Sequence, residues 1–110
     1  MFDKGLADDE MEEMMESARE ATNFLKALSH EGRLMILCHL ASGEKSVTEL
    51  EDLLSARQAA VSQQLARLRL EGLVRQRRDG KAIYYRLSDD RAKRVIEVVY
   101  DMFCKSEDTA

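Results

Sequence analysis

The chain has two cysteines, Cys38 and Cys104, and their thiols are its most versatile chemical groups. A thiolate can form a disulfide, react with an oxidant or bind a soft metal ion. Structural disulfides are rare in the reducing cytoplasm, so two thiols in a protein of that compartment favour redox or metal chemistry. Cys38 lies in an apolar stretch and can equally be a small buried hydrophobic residue. Spacing in the sequence does not decide between these interpretations.

Basic residues are concentrated in one part of the chain. The segment from Ser55 to Leu87 holds eight Lys and Arg residues against two acidic ones, a net charge of +6. Because the whole chain carries −4, the remainder carries −10. This asymmetry predicts a local anionic partner on an otherwise acidic protein. A solvated basic face without a partner is the alternative interpretation.

Length and composition favour one mainly helical domain. The 110 residues include no proline and few aromatic residues, and good helix formers are abundant. We expect a single domain over residues 1–110, with disordered tails at 1–8 and 106–110. No apolar run approaches the roughly 18 residues that a membrane span needs. The N-terminal segment is acidic, unlike a signal peptide, so we expect a cytoplasmic protein with no membrane partner.

Apolar residues at spacings of three and four predict amphipathic helices on both sides of the basic segment. The first helix is predicted over Asp9–Leu28 and the second over Glu31–Ala41, with Ser29 as the cap of the second. The last helix is predicted from Asp89 to about Lys105. Its buried stripe is expected to consist of Val95, Val98, Val99, Met102 and Phe103.

Two short helices and a hairpin are predicted within and just before the basic segment. Ser46 and Glu49 fit a capping box that opens a third helix. The residues of this helix expected to face inward are Leu50, Leu53 and Leu54. A fourth helix, Gln58–Leu70, follows after a short turn. Its expected buried stripe is Val61, Leu65 and Leu68.

Asp79-Gly80, between strand-like residues, predicts a hairpin turn with a positive φ at both positions. The predicted fold is therefore mainly α with a small β-hairpin, in the order α1-α2-α3-α4-β-β-α5. This order is typical of a winged helix-turn-helix, in which the hairpin forms the wing.

The fourth helix and the hairpin carry side chains suited to DNA. A helix fits the major groove of B-DNA, where amides and hydroxyls can bond to base edges. We expect base contacts from Gln58, Ala59, Ser62 and Gln63. We expect phosphate contacts, which position a protein without specifying sequence, from Arg57, Arg67, Arg77, Arg78 and Lys81. The alternative for the two glutamines is that they are ordinary solvated helix residues.

Several separated motifs resemble the ArsR/SmtB repressors. Leu28–Leu37 resembles the second helix of that family, and Ala60–Leu68 followed by Gly72-Leu73-Val74 resembles its recognition helix and the exit from it. The end of the predicted wing, Ile83–Leu87, is also similar. The resemblance covers about residues 21–104. It implies a winged-helix homodimer, joined through the first and last helices, that represses transcription from operator DNA until an inducer binds.

The chain departs from this family at its common metal sites. Many relatives have Cys-X-Cys at the start of the third helix, where this chain has Ser46-Val47-Thr48. Others have Asp-X-His early in the last helix, where it has Asp89-Asp90-Arg91. Oxygen ligands alone suit thiophilic or borderline metals poorly. We therefore predict neither of these metal sites and no cofactor. Two further differences, at Ala59 and Gln64, bear on operator preference.

The positions of Cys38 and Cys104 resemble those of the BigR/SqrR-type persulfide sensors and of the HlyU-type virulence regulators. The resemblance implies that reactive sulfur species such as glutathione persulfide convert the dithiol into a disulfide or polysulfide bridge, and that the repressor then leaves DNA. One alternative is capture of a metal or metalloid by both cysteines, helped by His30 or His39. Others are a general-oxidant response, or an inert pair with an unrelated inducer.

Patterns typical of an enzyme are missing from the sequence. It has no glycine-rich phosphate loop and no paired-carboxylate motif. Cys38 and His39 are adjacent, but neighbouring side chains on a helix point about 100° apart. We therefore predict a protein that is not an enzyme. A winged helix that binds only protein is a further alternative, which the clustered arginines disfavour.

Overall fold

The computed structural model describes residues 7–55, 58–88 and 90–104, in which five helices and three strands are present. In chain order they are α1 (Asp8–Leu28), α2 (Glu31–Leu40), β1 (Lys45–Ser46), α3 (Val47–Leu54), α4 (Gln58–Leu70), β2 (Val74–Asp79), β3 (Ala82–Leu87) and α5 (Asp90–Phe103). The predicted winged helix-turn-helix is confirmed. Apart from Ala7 and Asp8, the predicted tails lie outside the described residues.

One hydrophobic core joins the helices to the base of the wing. The predicted stripe of α4 is confirmed, because Val61, Leu65 and Leu68 are all buried. They pack with apolar side chains from the other elements, listed here: Ala27, Leu28, Ile36, Leu37, Leu40, Leu50, Leu73, Val74, Tyr85, Ala92 and Ile96. The core therefore positions α4 and the strands that follow it as one unit.

The prediction that Ser29 caps α2 was wrong. The cap is His30, whose Nδ1 accepts a hydrogen bond from the backbone N–H of Gly32 at 3.1 Å. Ser29 instead ends α1, where its hydroxyl donates to the carbonyl of Lys26. Arg33 also binds this end of α1, since its Nε donates to the carbonyl of Ala27 at 2.7 Å. An imidazole nitrogen can accept a bond as a serine hydroxyl does, and the sequence pattern alone did not distinguish them.

The capping box of α3 is confirmed in both of its hydrogen bonds. Ser46 Oγ accepts from the backbone N–H of Glu49 at 3.0 Å, and the Glu49 carboxylate accepts from the N–H of Ser46 at 2.9 Å. Leu50 is fully buried and Leu54 is half-buried, but the prediction that Leu53 faces inward was wrong. Leu53 lines an open groove between α2, α3 and α4 and is exposed.

Helix α5 packs against the body along a different edge from the one predicted. Its buried residues are Ala92 and Ile96, while Val95 and Val99 are half-buried. The remaining members of the predicted stripe are exposed, and they are Val98, Met102 and Phe103. Apolar residues therefore occupy two sides of α5, and the subunit buries only one. The predicted ends Asp89 and Lys105 lie outside the described residues.

The hairpin turn lies one residue later than predicted. Asp79 pairs with Ala82, so the turn residues are Gly80 and Lys81, and only Gly80 has a positive φ, 63°. A positive φ at the first turn position alone is typical of a type II′ hairpin. Strand β1 extends the hairpin to a three-stranded antiparallel sheet in the order β1-β3-β2. A strand of two residues has no alternation to detect, which is why the sequence did not predict it.

Candidate DNA interface and cysteine pair

The outer face of α4 carries the side chains predicted to contact bases. Burial of its apolar stripe turns Ser62 and Gln63 outward, and both are exposed. Gln58 and Ala59 are the first two residues of α4, but their side chains lie outside the described residues, as does the whole of Arg57. The structure therefore brings two of the four predicted base-contacting side chains to one accessible surface.

Arg67 lies on the same helix, further from its N-terminus. Its Nε is 3.3 Å from Oε1 of Glu71, one turn later. About half of the Arg67 side chain remains exposed. Exposed ion pairs of this kind contribute little to stability, so a phosphate can replace Glu71 at small cost.

The wing presents two of its three predicted phosphate-binding residues to solvent without a partner. Arg78 and Lys81 are exposed near the hairpin turn. Within the ranges that the structure describes, no carboxylate lies within ion-pair distance of either residue. Both cations are available to an external anion.

The third of these residues, Arg77, is already paired. Its Nε lies 3.0 Å from both carboxylate oxygens of Glu44, and its terminal Nη2 lies 2.7 Å from Oε1 of the same residue. The guanidinium also lies over the ring of Tyr84, 4.5 Å from its centre. These hydrogen bonds hold the pKa of Glu44 below its usual value. Glu44 and Tyr84 had no predicted role, since a contact across 33 residues leaves no local pattern.

The two cysteines lie at the same end of the packed helices α2 and α5. Cys38 is half-buried and borders a cleft of about 250 Å³ between these helices. Cys104 follows the last residue of α5; its side chain is exposed, and its N–H donates to the carbonyl of Tyr100 at 2.8 Å. Both thiols are free. The tertiary structure thus brings together residues that are far apart in the sequence.

Two effects raise the pKa of Cys38 above the ordinary value for a cysteine. Burial raises the pKa of Cys38, and negative charge on Cys104 raises it further. Repulsion between two thiolates falls with distance and is screened by solvent.

The histidines are placed differently with respect to this pair. His30 caps the N-terminus of α2, about 12 Å along the helix from Cys38 at a rise of 1.5 Å per residue. It therefore cannot share a metal ion with the thiols. His39 is half-buried next to Cys38. Over the described ranges, no three side chains among His, Cys, Asp and Glu are grouped so as to hold a metal ion.

Several large apolar side chains on α1 and α5 are exposed. They are Met11, Met15, Leu25, Val98, Tyr100, Met102 and Phe103. Helix α1 buries only Ala27 and Leu28, although it is 21 residues long. No helix in the described part of the chain is both long and apolar enough to cross a membrane.

Comparison with known proteins links this arrangement to bacterial regulators. A family model described as "bacterial regulatory protein, arsR family" matches residues 30–76, which include the whole helix-turn-helix and the first half of β2. The chain is 50% identical to the biofilm growth-associated repressor of Agrobacterium fabrum, over 86% of this chain and 81% of that protein.

Two solved structures have the same fold. Reduced HlyU from Vibrio cholerae has a TM-score of 0.81 and 41% identity, covering 84% of this chain and 97% of that one. The transcriptional repressor BigR from Xylella fastidiosa has a TM-score of 0.79 and 45% identity, covering 86% and 96%. Each similarity thus extends over more than four-fifths of this chain and nearly the whole of the related structure.

Proposed function

The chain belongs to the ArsR family of bacterial regulatory proteins and is a DNA-binding transcriptional repressor, and we propose that Cys38 and Cys104 form the thiol switch that releases it from its operator. The family is one of DNA-binding proteins and the relatives are named as regulators, so the prediction that the chain is not an enzyme is confirmed. The proposed inducer is a reactive sulfur species such as glutathione persulfide.

The observation that carries the proposal is the placement of the two free thiols, Cys38 in the last turns of α2 and Cys104 directly after α5, which packs against α2. Charge on Cys104 raises the pKa of Cys38, although the residues lie on different helices. Cys104 is exposed and can meet a solute, while Cys38 is half-buried and borders a cleft between α2 and α5. These exposures support Cys104 as the attacking thiol and Cys38 as the resolving thiol. A relative whose structure is described as reduced, HlyU from Vibrio cholerae, adds support.

The chemistry balances with the sulfur species as the oxidant. The Cys104 thiolate attacks the outer sulfur of glutathione persulfide, which forms a cysteine persulfide and releases glutathione. The Cys38 thiolate then attacks the inner sulfur, which closes a disulfide and releases hydrogen sulfide. With glutathione trisulfide, attack by both thiolates in turn leaves one inserted sulfur in the bridge and releases two glutathione molecules. Inserted sulfur relaxes the 4.4–6.8 Å Cα separation that a plain disulfide demands.

A bridge would couple the thiols to DNA through the dimer. We infer that a second copy of the chain covers the exposed apolar face of α1 and α5, as large uncovered apolar patches mark association sites. Cys104 directly follows Met102 and Phe103 in that face. A covalent bridge from Cys104 to Cys38 on α2 would shift the two subunits relative to each other. This shift would change the spacing of their recognition helices, and that spacing must match half-sites about one DNA turn apart.

Operator binding before and after treatment with glutathione persulfide tests the proposal, with intact-mass analysis of the same samples. Binding should weaken by roughly 5- to 150-fold, the range of a 1–3 kcal/mol coupling. The mass should match a bridge between Cys38 and Cys104. Cys38→Ser and Cys104→Ser should bind the operator when untreated and should no longer respond.

The double variant Cys38→Ser/Cys104→Ser is the control for effects of the reagent on DNA or on other residues. A normal response of either single variant would overturn the switch while leaving the repressor assignment intact. Unchanged binding in the unsubstituted chain, with both thiols modified, would overturn it as well.

A further inference from the structure

We propose that Glu44, Tyr84 and Arg77 form a brace that holds the wing in position for DNA, so that Arg77 is a positioning residue and not a phosphate contact. The brace is defined by the Glu44–Arg77 ion pair, with a closest separation of 2.7 Å, and by the stacking of Arg77 on Tyr84 at 4.5 Å. The proposal rests on operator binding by the reduced protein and is independent of the thiol switch.

The brace extends from β2 across β3 to the residue just before β1. Arg77 lies on β2, and its register partner on β3 is Tyr84, whose own partner on β1 is Ser46. Side chains at paired positions share a face of a sheet. Glu44 is two residues before Ser46, so in extended chain it lies on that same face. Arg77 therefore reaches across Tyr84 to the segment that joins α2 to β1.

Strand β2 has few contacts that hold it in place, and the brace adds one. Strand β2 is at the edge of the sheet and pairs only with β3. Outside its first residue, Val74, it buries no side chain in the core. The brace ties the middle of β2 to the helix-turn-helix body, and the same hairpin carries the unpartnered cations Arg78 and Lys81. Fixing β2 therefore fixes where those cations meet DNA.

The surroundings of Arg77 also make it a poor phosphate contact. Both carboxylate oxygens of Glu44 accept hydrogen bonds from it, and Asp79 lies 3.9 Å from its Nη1. A bidentate arginine–carboxylate pair is geometrically specific and is stronger than a single neutral hydrogen bond. A phosphate that displaced Glu44 would break three hydrogen bonds, whereas Arg67 has only one 3.3 Å contact with Glu71. The charge of Arg77 is thus already neutralised within the subunit.

The salt dependence of operator binding distinguishes positioning from phosphate contact. Each phosphate neutralised contributes about −0.9 to the slope of log K against log salt, so losing one contact per subunit flattens the slope of a dimer by about 2. We expect Arg77→Gln and Glu44→Gln to weaken binding roughly two- to fivefold, in keeping with an exposed ion pair, and to leave the slope unchanged. The double variant should be no weaker than either single one, because both remove the same interaction.

Arg78→Gln provides the contrast, since it should flatten the slope. Glu16→Gln is the charge-matched control for Glu44→Gln, because Glu16 is exposed on α1, away from the wing. Arg77→Lys keeps the charge but loses the planar fork. It should bind as weakly as Arg77→Gln if Arg77 positions the wing, and nearly as tightly as the unsubstituted chain if it contacts phosphate.

Two results would overturn the brace. One is a slope for Arg77→Gln as flat as that for Arg78→Gln. The other is tighter operator binding by Glu44→Gln together with a steeper dependence of log K on log salt. That result would mean that Glu44 keeps Arg77 from binding phosphate. Circular dichroism and thermal unfolding verify that each variant is folded. Failure of the unsubstituted chain to bind operator DNA would instead count against the repressor assignment itself.

Discussion

Cys38 and Cys104 have different surroundings, and the difference bears on how they can react. The thiolate is the reactive form of cysteine, and a raised pKa makes it scarce near neutral pH. Cys38 is in this position because of its burial and because of the charge on Cys104. Reaction at Cys38 should therefore accelerate as the pH rises toward its pKa. This suits a resolving thiol, which reacts second, after Cys104 has been modified.

Replacing Cys104 by serine should lower the pKa of Cys38. A serine hydroxyl is neutral, so the repulsion that disfavours the Cys38 thiolate disappears. The pKa should remain above the ordinary value for cysteine, because burial is the larger cause and is unchanged. The rate of Cys38 alkylation by iodoacetamide, followed against pH by peptide mass spectrometry, measures this shift.

Cys104→Asp is the matched control for that measurement. Its carboxylate keeps a negative charge near Cys38 throughout the pH range of thiol titration, so the pKa of Cys38 should stay raised. Identical alkylation midpoints for Cys104→Ser and the unsubstituted chain would contradict an electrostatic link between the two positions.

At the scale of elements, the short helix α3 depends on its N-terminal cap. Its eight residues bury only Leu50, and short helices are marginal without tertiary support or caps. Ser46 both caps α3 and pairs with Tyr84 on β3, so one residue joins the helix-turn-helix to the wing. The start of α3 is therefore a structural junction as well as a local cap.

Ser46→Ala should destabilise the protein by about 0.5–2 kcal/mol, the usual cost of losing a serine cap. Urea unfolding at one fixed protein concentration measures the loss, since a dimer's stability depends on concentration. Ser17→Ala on exposed α1 is the matched control, because no side-chain hydrogen bond of Ser17 is present. Equal unfolding midpoints for the two variants would contradict a stabilising role for the capping box.

The whole subunit is less compact than a typical domain of the same length. Its radius of gyration is 16.8 Å, whereas a compact domain of this size has about 13 Å. Helix α1 is 21 residues long and buries only Ala27 and Leu28 in its own subunit. An amphipathic helix with an uncovered apolar stripe is stable when another surface covers it. The shape supports the proposed homodimer through α1 and α5.

Val98→Asp should convert the proposed dimer into monomers. Val98 lies in the exposed apolar face of α5 with 55% of its surface accessible, so the subunit itself should still fold. A carboxylate there would have to be desolvated on association, a cost that opposes the dimer. Sedimentation should show the mass of one chain, and operator affinity should fall because the two half-sites are no longer bound together.

Val98→Ala is the control for that variant, since it keeps the position apolar. It should remain dimeric and bind the operator. A dimeric Val98→Asp protein with full operator affinity would place the association surface elsewhere.

The sequence by itself determined the features that depend on local patterns. Spacings of three and four located five helices, and the inward stripe of Val61, Leu65 and Leu68 oriented α4 correctly. The capping box at Ser46 was also recognisable, because its bonds join residues three apart. The pattern failed at the N-terminus of α2, where it predicted Ser29 as the cap but the neighbouring His30 accepts the capping hydrogen bond.

Only the tertiary structure decided which distant groups meet. The proximity of Cys38 and Cys104 depends on how α2 packs against α5, and no periodicity in either helix encodes it. The same holds for the ion pair of Arg77 with Glu44, two residues that are 33 positions apart in the sequence. It holds also for the side of α5 that is buried, since both sides are apolar. Local patterns give each helix its faces, but packing chooses which neighbour each face meets.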